Sequence, residues 1–135
     1  MVSIDLEYQG DLHCGAVHGP SGTELSTDAP KDNQGRGESF SPTDLVATAL
    51  GTCMLTTMGI LARTLNVDLA GAQATVEKEM ASSPFRMVRQ LTVKIRVPHA
   101  VSPENRTKLE RAALTCPVAK SLNASVEIPT EFTWG

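Results

Sequence analysis

Hydrophobic and polar positions alternate from the first residues of the chain. Val2, Ile4, Leu6 and Tyr8 fall on one side, Ser3, Asp5, Glu7 and Gln9 on the other. A period of two is the signature of a half-buried strand. Gly10-Asp11 and His18-Gly19-Pro20-Ser21-Gly22 punctuate two further short strands, near 12–18 and 23–28, and the three together predict an antiparallel meander. Residues 29–41 hold Pro30, Asp32, Asn33, Gly35 and Gly37, a loop composition. The pattern then changes. Residues 45–62, LVATALGTCMLTTMGILA, contain no charge. Ser41 suits a helix N-cap, Pro42 the first helical position and Asp44 the far side of a capping box. A helix is predicted from Pro42 to about Leu65, with Asn66 as its left-handed C-cap.

Two more alternating stretches follow. In 68–80, Ala70, Ala72, Ala74, Val76 and Met80 share a face that Lys78 interrupts. In 87–97, Leu91, Val93, Ile95 and Val97 share a face that Arg89 interrupts. Ala81-Ser82-Ser83-Pro84 reads as the hairpin between them, and Pro98 ends the ladder. Ser102-Pro103-Glu104 opens an amphipathic helix through Leu109, Ala112 and Ala113. Cys116-Pro117 breaks it, with Cys116 as N-cap of a short new helix. The last alternation runs through Ala124, Val126, Ile128, Phe132 and Trp134. The order βββ–α–ββ–α–β, with strands paired by hairpins, is that of an α+β fold in a single domain over 1–135.

Composition narrows the function classes. Of 135 residues, 41% are hydrophobic and 20% charged, as in an ordinary globular chain. A net charge of -3, no Lys/Arg stripe and five aromatics argue against a nucleic-acid partner. The opening MVSIDLEYQG has neither a basic nor an apolar leader region, so no signal peptide and a cytoplasmic location are expected. The uncharged stretch 45–62 is near the lower limit for a membrane span. Its four threonines, two glycines and cysteine favour instead a fully buried helix of a soluble protein, with no membrane partner.

Three cysteines in such a chain do not form a disulfide framework; catalytic, redox and merely buried thiols are the open readings. Cys53 lies mid-helix beside Ala49, Leu50 and Thr57, where a small core residue would also fit. Cys116, before a proline at a helix start, faces backbone N–H groups that favour a thiolate. His13, Cys14 and His18 lack the second ligand pair of a metal site. Arg36 is the lone arginine of the Gly-rich loop, and Arg89 is either a bulge residue or a buried ion-pair member. Capping accounts for Asp44.

With these residues in place, Gly35 to Met54 (GRGESFSPTDLVATALGTCM) and Cys116 to Leu122 (CPVAKSL), their cysteines 63 residues apart, resemble the OsmC/Ohr family. The resemblance implies an intertwined homodimer with antiparallel sheets around long buried central helices, and a thiol site near the subunit interface. It implies that Cys53 attacks an organic hydroperoxide and that Cys116 resolves the sulfenic acid into a disulfide. A small or protein dithiol, such as a lipoyl group, is the implied reductant, without metal or other cofactor. An arginine assists in the family, and Arg36 is the nearest loop candidate. Leu50, Met54 and Met58 are expected to form an apolar wall for the substrate. Peroxidase members carry a glutamate where this chain has Thr43, so it looks more like the OsmC-like branch. The alternative is a non-catalytic redox-sensitive or small-ligand-binding protein of the same fold.

Overall fold

In the computed structural model, which describes residues 1–135, the opening alternation folds into β1 (Ile4–Tyr8), β2 (His13–His18) and β3 (Glu24–Asp28), an antiparallel sheet in that order. The register sets Leu6 opposite Ala16, Tyr8 opposite Cys14 and Ala16 opposite Leu25. Opposed residues share a face, so Ile4, Leu6, Tyr8, Ala16 and Leu25 form one apolar side. That side stays open. β1 is exposed along its whole length, Leu6 at 73%, where the sequence predicted half burial. A sheet of three short strands carries an apolar face but no second layer of its own to cover it.

The loop after β3 contains one 3-10 turn, Lys31–Asn33. It folds back on itself: the Gly35 N–H donates to Pro30 O at 2.9 Å, and a Cβ at Gly35 would stand 1.7 Å from Ala29 O. Only glycine fits there. These residues and the start of the first helix make up one compact unit, Met1–Val46; Ala47–Gly135 make up a second.

Helix α1 (Pro42–Leu65) begins and ends as its sequence dictates. The Ser41 N–H donates to Asp44 Oδ2 at 2.9 Å and the Asp44 N–H donates back to Ser41 Oγ at 3.1 Å, a reciprocal capping box. At the other end Asn66 is left-handed, with φ 55. The N–H groups of Asn66 and Val67 donate to Arg63 O and Ala62 O, a Schellman ending. By length and composition the helix could cross a membrane. It nevertheless buries a stripe, Ala47, Leu50, Gly51, Met54, Met58 and Ala62, as a core helix does. Burial is confined to that stripe rather than running all round as expected, because Thr48, Thr52, Thr56 and Ile60 remain exposed.

In the second unit β4 (Gln73–Ala81), β5 (Met87–Val97) and β6 (Thr130–Trp134) form a sheet in that order. β5 has the predicted bounds, and its Leu91, Val93, Ile95 and Val97 are buried. β4 starts later than predicted because Leu69–Ala72 turn first, with Gly71 at φ 86. The register slips between Glu79 and Met80, which face Gln90 and Val88, leaving Arg89 as the extra residue. Arg89 therefore points out of the core and pairs with Glu79 at 3.1 Å. Of the two readings of this arginine, the bulge holds.

β6 pairs with β5 in parallel, so antiparallel pairing fails at this one edge. The connection is a crossover carrying α2 (Pro103–Leu114) and α3 (Pro117–Ser121), the length that a parallel return requires. The strand is also shorter than its alternation suggested. Pro129 has no N–H to give, and only a bridge between Gln90 and Glu127 precedes it. Phe132 and Trp134 stack with centroids 6.4 Å apart. The Trp134 indole N–H donates to Glu110 Oε1 at 3.2 Å while Arg106 lies 5.9 Å over its ring, which ties β6 to α2.

Gly51 brings α1 close to β4: a Cβ there would stand 2.9 Å from Val76 Cγ2. Gly51→Val is expected to lower the unfolding free energy by about 1–3 kcal/mol through overpacking, despite the better helix propensity of valine. Urea denaturation of the single variant, of Val76→Ala and of the double variant checks this. The loss at Gly51 should shrink when Val76 is already alanine.

Candidate thiol site

Cys53 occupies the middle of α1, at the border between the buried stripe (Leu50, Met54) and the exposed one (Thr52, Thr56), and is itself half-buried. Cys116 is placed by the break between α2 and α3. The Thr115 N–H still reaches Arg111 O, four residues back, but the Cys116 N–H turns to Ala113 O at 3.3 Å. Pro117 then starts α3 with Cys116 as its N-cap, and the Ala119 N–H donates to Cys116 Sγ at 3.4 Å.

The side chain of Cys53 is near enough to that of Cys116 to act on its thiol. Two thiols 63 residues apart in the chain thus meet within the second unit. Cys14 lies in the first unit, and all three cysteines are free thiols.

Burial decides the chemistry of Cys116. Its side chain is at 0% exposure, and desolvation disfavours the charged form. That is the largest influence and pushes the thiol above its ordinary value of 9.0. The neighbouring Cys53 pushes the same way, against the N–H groups of Ala119 and Val118. The thiolate expected from the helix-start position is therefore corrected. The donors are present, but burial and the second thiol outweigh them. Burial and the neighbouring thiol thus favour the protonated form of Cys116 over the thiolate.

Thr57, placed by the sequence on the same side of α1 as Cys53, does more than that spacing shows. Its hydroxyl lies 3.1 Å from Cys53 O and 3.0 Å from Met54 O, and also 3.3 Å from Ala112 O in α2. No local pattern could reveal the last contact, because α2 lies far along the chain.

Other expectations are redrawn. Leu50, Met54 and Met58 are fully buried, so they are core residues and not a wall open to substrate. Helical spacing puts them on the buried stripe beside Cys53. Arg36 is 62% exposed and sits 3.6 Å from Asp11 Oδ2 within the first unit. Thr43 Oγ1 lies 3.2 Å from Ser41 Oγ, and the Asp44 carboxylate is engaged in the cap. His13 Nδ1 pairs with the buried Asp28 at 2.6 Å, Cys14 faces the opposite side of the sheet, and His18 Nδ1 pairs with Ser21 Oγ at 2.5 Å. The two histidines serve different partners.

A family model described as OsmC-like protein matches residues 35–131. A crystal structure of a protein from Psychrobacter arcticus 273-4, named for osmotic stress induction and detoxification response, is 44% identical. The match covers 98% of this chain and 96% of that one, with a TM-score of 0.93. An OsmC-like protein from Mycoplasma pneumoniae superposes with a TM-score of 0.83 at 16% identity, covering 99% and 96%. An organic hydroperoxide resistance protein from Legionella pneumophila superposes with a TM-score of 0.77 at 15% identity, covering 98% and 96%. No curated protein matches the chain.

A thiol raised on folding stabilises the protein while it stays protonated. That contribution is fully present below the ordinary thiol value of 9.0 and is lost as pH rises through the folded value above it. Under reducing conditions the unfolding free energy should therefore fall above about pH 9. Urea titrations of the wild type and of Cys116→Ala at several pH values check the sign. The variant should lack that part of the decline.

Proposed function

Because the chain belongs to the OsmC-like family, we propose that its Cys53–Cys116 pair is a thiol-dependent peroxidase centre acting on organic hydroperoxides. The observation that carries the reading is the proximity of the two thiols, near enough for Cys53 to act on Cys116. A dithiol peroxidase needs one sulfur to take an oxygen and a second close enough to condense with it before further oxidation.

In the proposed cycle the Cys53 thiolate attacks the terminal peroxide oxygen. The O–O bond breaks, Cys53 becomes a sulfenic acid and the alkoxide leaves to be protonated as an alcohol. The Cys116 sulfur then attacks the sulfenic sulfur; the S–S bond forms, and hydroxide leaves with the Cys116 proton as water. An external dithiol restores both thiols by exchange and is itself oxidised to a disulfide. The division of roles follows from burial. Cys53 is half-buried where Cys116 is fully buried, and Cys116, pushed toward the protonated thiol, is suited to act second. Arg36 is the proposed cation for the thiolate and the departing alkoxide.

The working unit is proposed to be a homodimer. The open face of Ile4, Leu6, Tyr8 and Leu25 is what a second copy would cover. Light scattering should give twice the 14.4 kDa chain mass, and Leu6→Asp should shift it toward the single chain.

The decisive experiment mixes reduced protein with cumene hydroperoxide and follows thiols by mass spectrometry alongside residual peroxide. Two thiols should be lost for each peroxide consumed. Cys53→Ser should abolish consumption, Cys116→Ser should allow one sulfenylation without turnover, and Arg36→Ala should slow the first step. Inert wild-type thiols would reject the reading in favour of a non-catalytic member of the fold.

A further inference from the structure

Thr57 stands where α1 meets the end of α2. Two of its three acceptors, Cys53 O and Met54 O, are the usual back-bonds of a helical threonine. The third, Ala112 O, is the carbonyl that an unbroken helix would pair with the Cys116 N–H. Pro117 diverts that N–H to Ala113 O, so Ala112 O is one of the terminal carbonyls that a helix leaves without its regular donor. The Thr57 hydroxyl, 3.3 Å away, is placed to supply one.

We propose that Thr57 is a positioning residue for the thiol pair. Its bond to Ala112 O fastens the end of α2 to α1 one turn beyond Cys53, four residues before Cys116, and so sets how closely the two sulfurs approach. The α2–α3 break needs such a fastening. α3 is only five residues long, and a disulfide tolerates only a narrow range of separations, about 4.4–6.8 Å between Cα atoms. The hydroxyl has one proton for three acceptors. Its intrahelical bonds can be given up for the one across helices without leaving a helix carbonyl unpaired, since these carbonyls lie within the regular ladder.

The inference rests on the reading of Cys53 and Cys116 as a redox pair, and its test does not need peroxide. Full-length protein is equilibrated with reduced and oxidised glutathione. One glutathione disulfide oxidises the two thiols to the 53–116 bond and releases two glutathiones, and the equilibrium constant is the effective concentration of one thiol at the other. Thr57→Val and Thr57→Ala, which lack the hydroxyl, should lower it by about tenfold, while Thr57→Ser should stay within about twofold of wild type. Thermal melts establish that each variant is folded at the working temperature. General loss of stability would not give this pattern, because serine lacks the methyl group yet keeps the constant. A folded hydroxyl-free variant with an unchanged constant, or a serine variant that fails to restore it, overturns the proposal. Inert thiols toward cumene hydroperoxide with a normal glutathione constant would overturn only the peroxidase reading. A wild type that forms no 53–116 bond with glutathione overturns both.

Discussion

Cys53 neighbours Cys116 because the interior of one helix lies against the end of another where the chain breaks, and the chemistry of the site descends from that arrangement. A mid-helix residue cannot move toward a partner, so the partner must be delivered. Delivery falls to the crossover that joins β5 to β6. Its helix α2 is tied to β6 through Trp134, Glu110 and Arg106, and its break is forced by Pro117. The helix that carries Cys53 is held at close range to β4 because Gly51 has no side chain to keep Val76 away. These contacts fix backbone separations, and side-chain chemistry follows from them.

Burial at the contact sorts the two thiols. A helix N-terminus offers the same N–H groups to a sulfur wherever it occurs, and at an exposed position those donors would decide its charge. At Cys116 the removal of water costs more than the donors return, and a second polarisable sulfur stands beside it. The outcome is asymmetry, one fully buried thiol pushed toward its protonated form beside one that is half-buried. Two equivalent thiols would compete for the same oxidant; two unequal ones can take turns.

How much of this was written in the chain varies with the range of the interaction. The capping box at Ser41 and Asp44, the Asn66 ending, the bounds of β5 and the Ser102 and Cys116 caps are local, and each stands where the sequence put it. The errors arose where a distant partner decides. The final alternation was overextended because Pro129 and a parallel neighbour set where pairing begins. Arg89 broke its pattern because the slip that expels it belongs jointly to two strands. Leu50, Met54 and Met58 read as a substrate wall because helical spacing shows which residues are neighbours but not which side is buried. The protonation of Cys116 was misjudged for a related reason: cap geometry is readable in sequence, depth is not. The meeting of the two cysteines came only from family resemblance, since no spacing rule joins residues 63 positions apart.

Eighteen positions of α1 carry no charge, more than its buried stripe accounts for. Only one stripe of the helix is buried, yet the exposed stripe carries threonine, alanine and isoleucine instead of the lysine and glutamate of a solvated face. The threonines are internally satisfied. Thr52 donates to Thr48 O and Thr56 to Thr52 O, each at 2.7 Å, so their hydroxyls turn back to the helix and their methyl groups are left facing outward. Such a surface is closer to a packing surface than to a wetted one. In the proposed dimer the α1 stripe and the open face of β1 are each a surface that a second chain would cover. Each is apolar in composition and uncovered, and a symmetric pair of chains is the simplest arrangement in which the same sequence covers its own exposed surfaces.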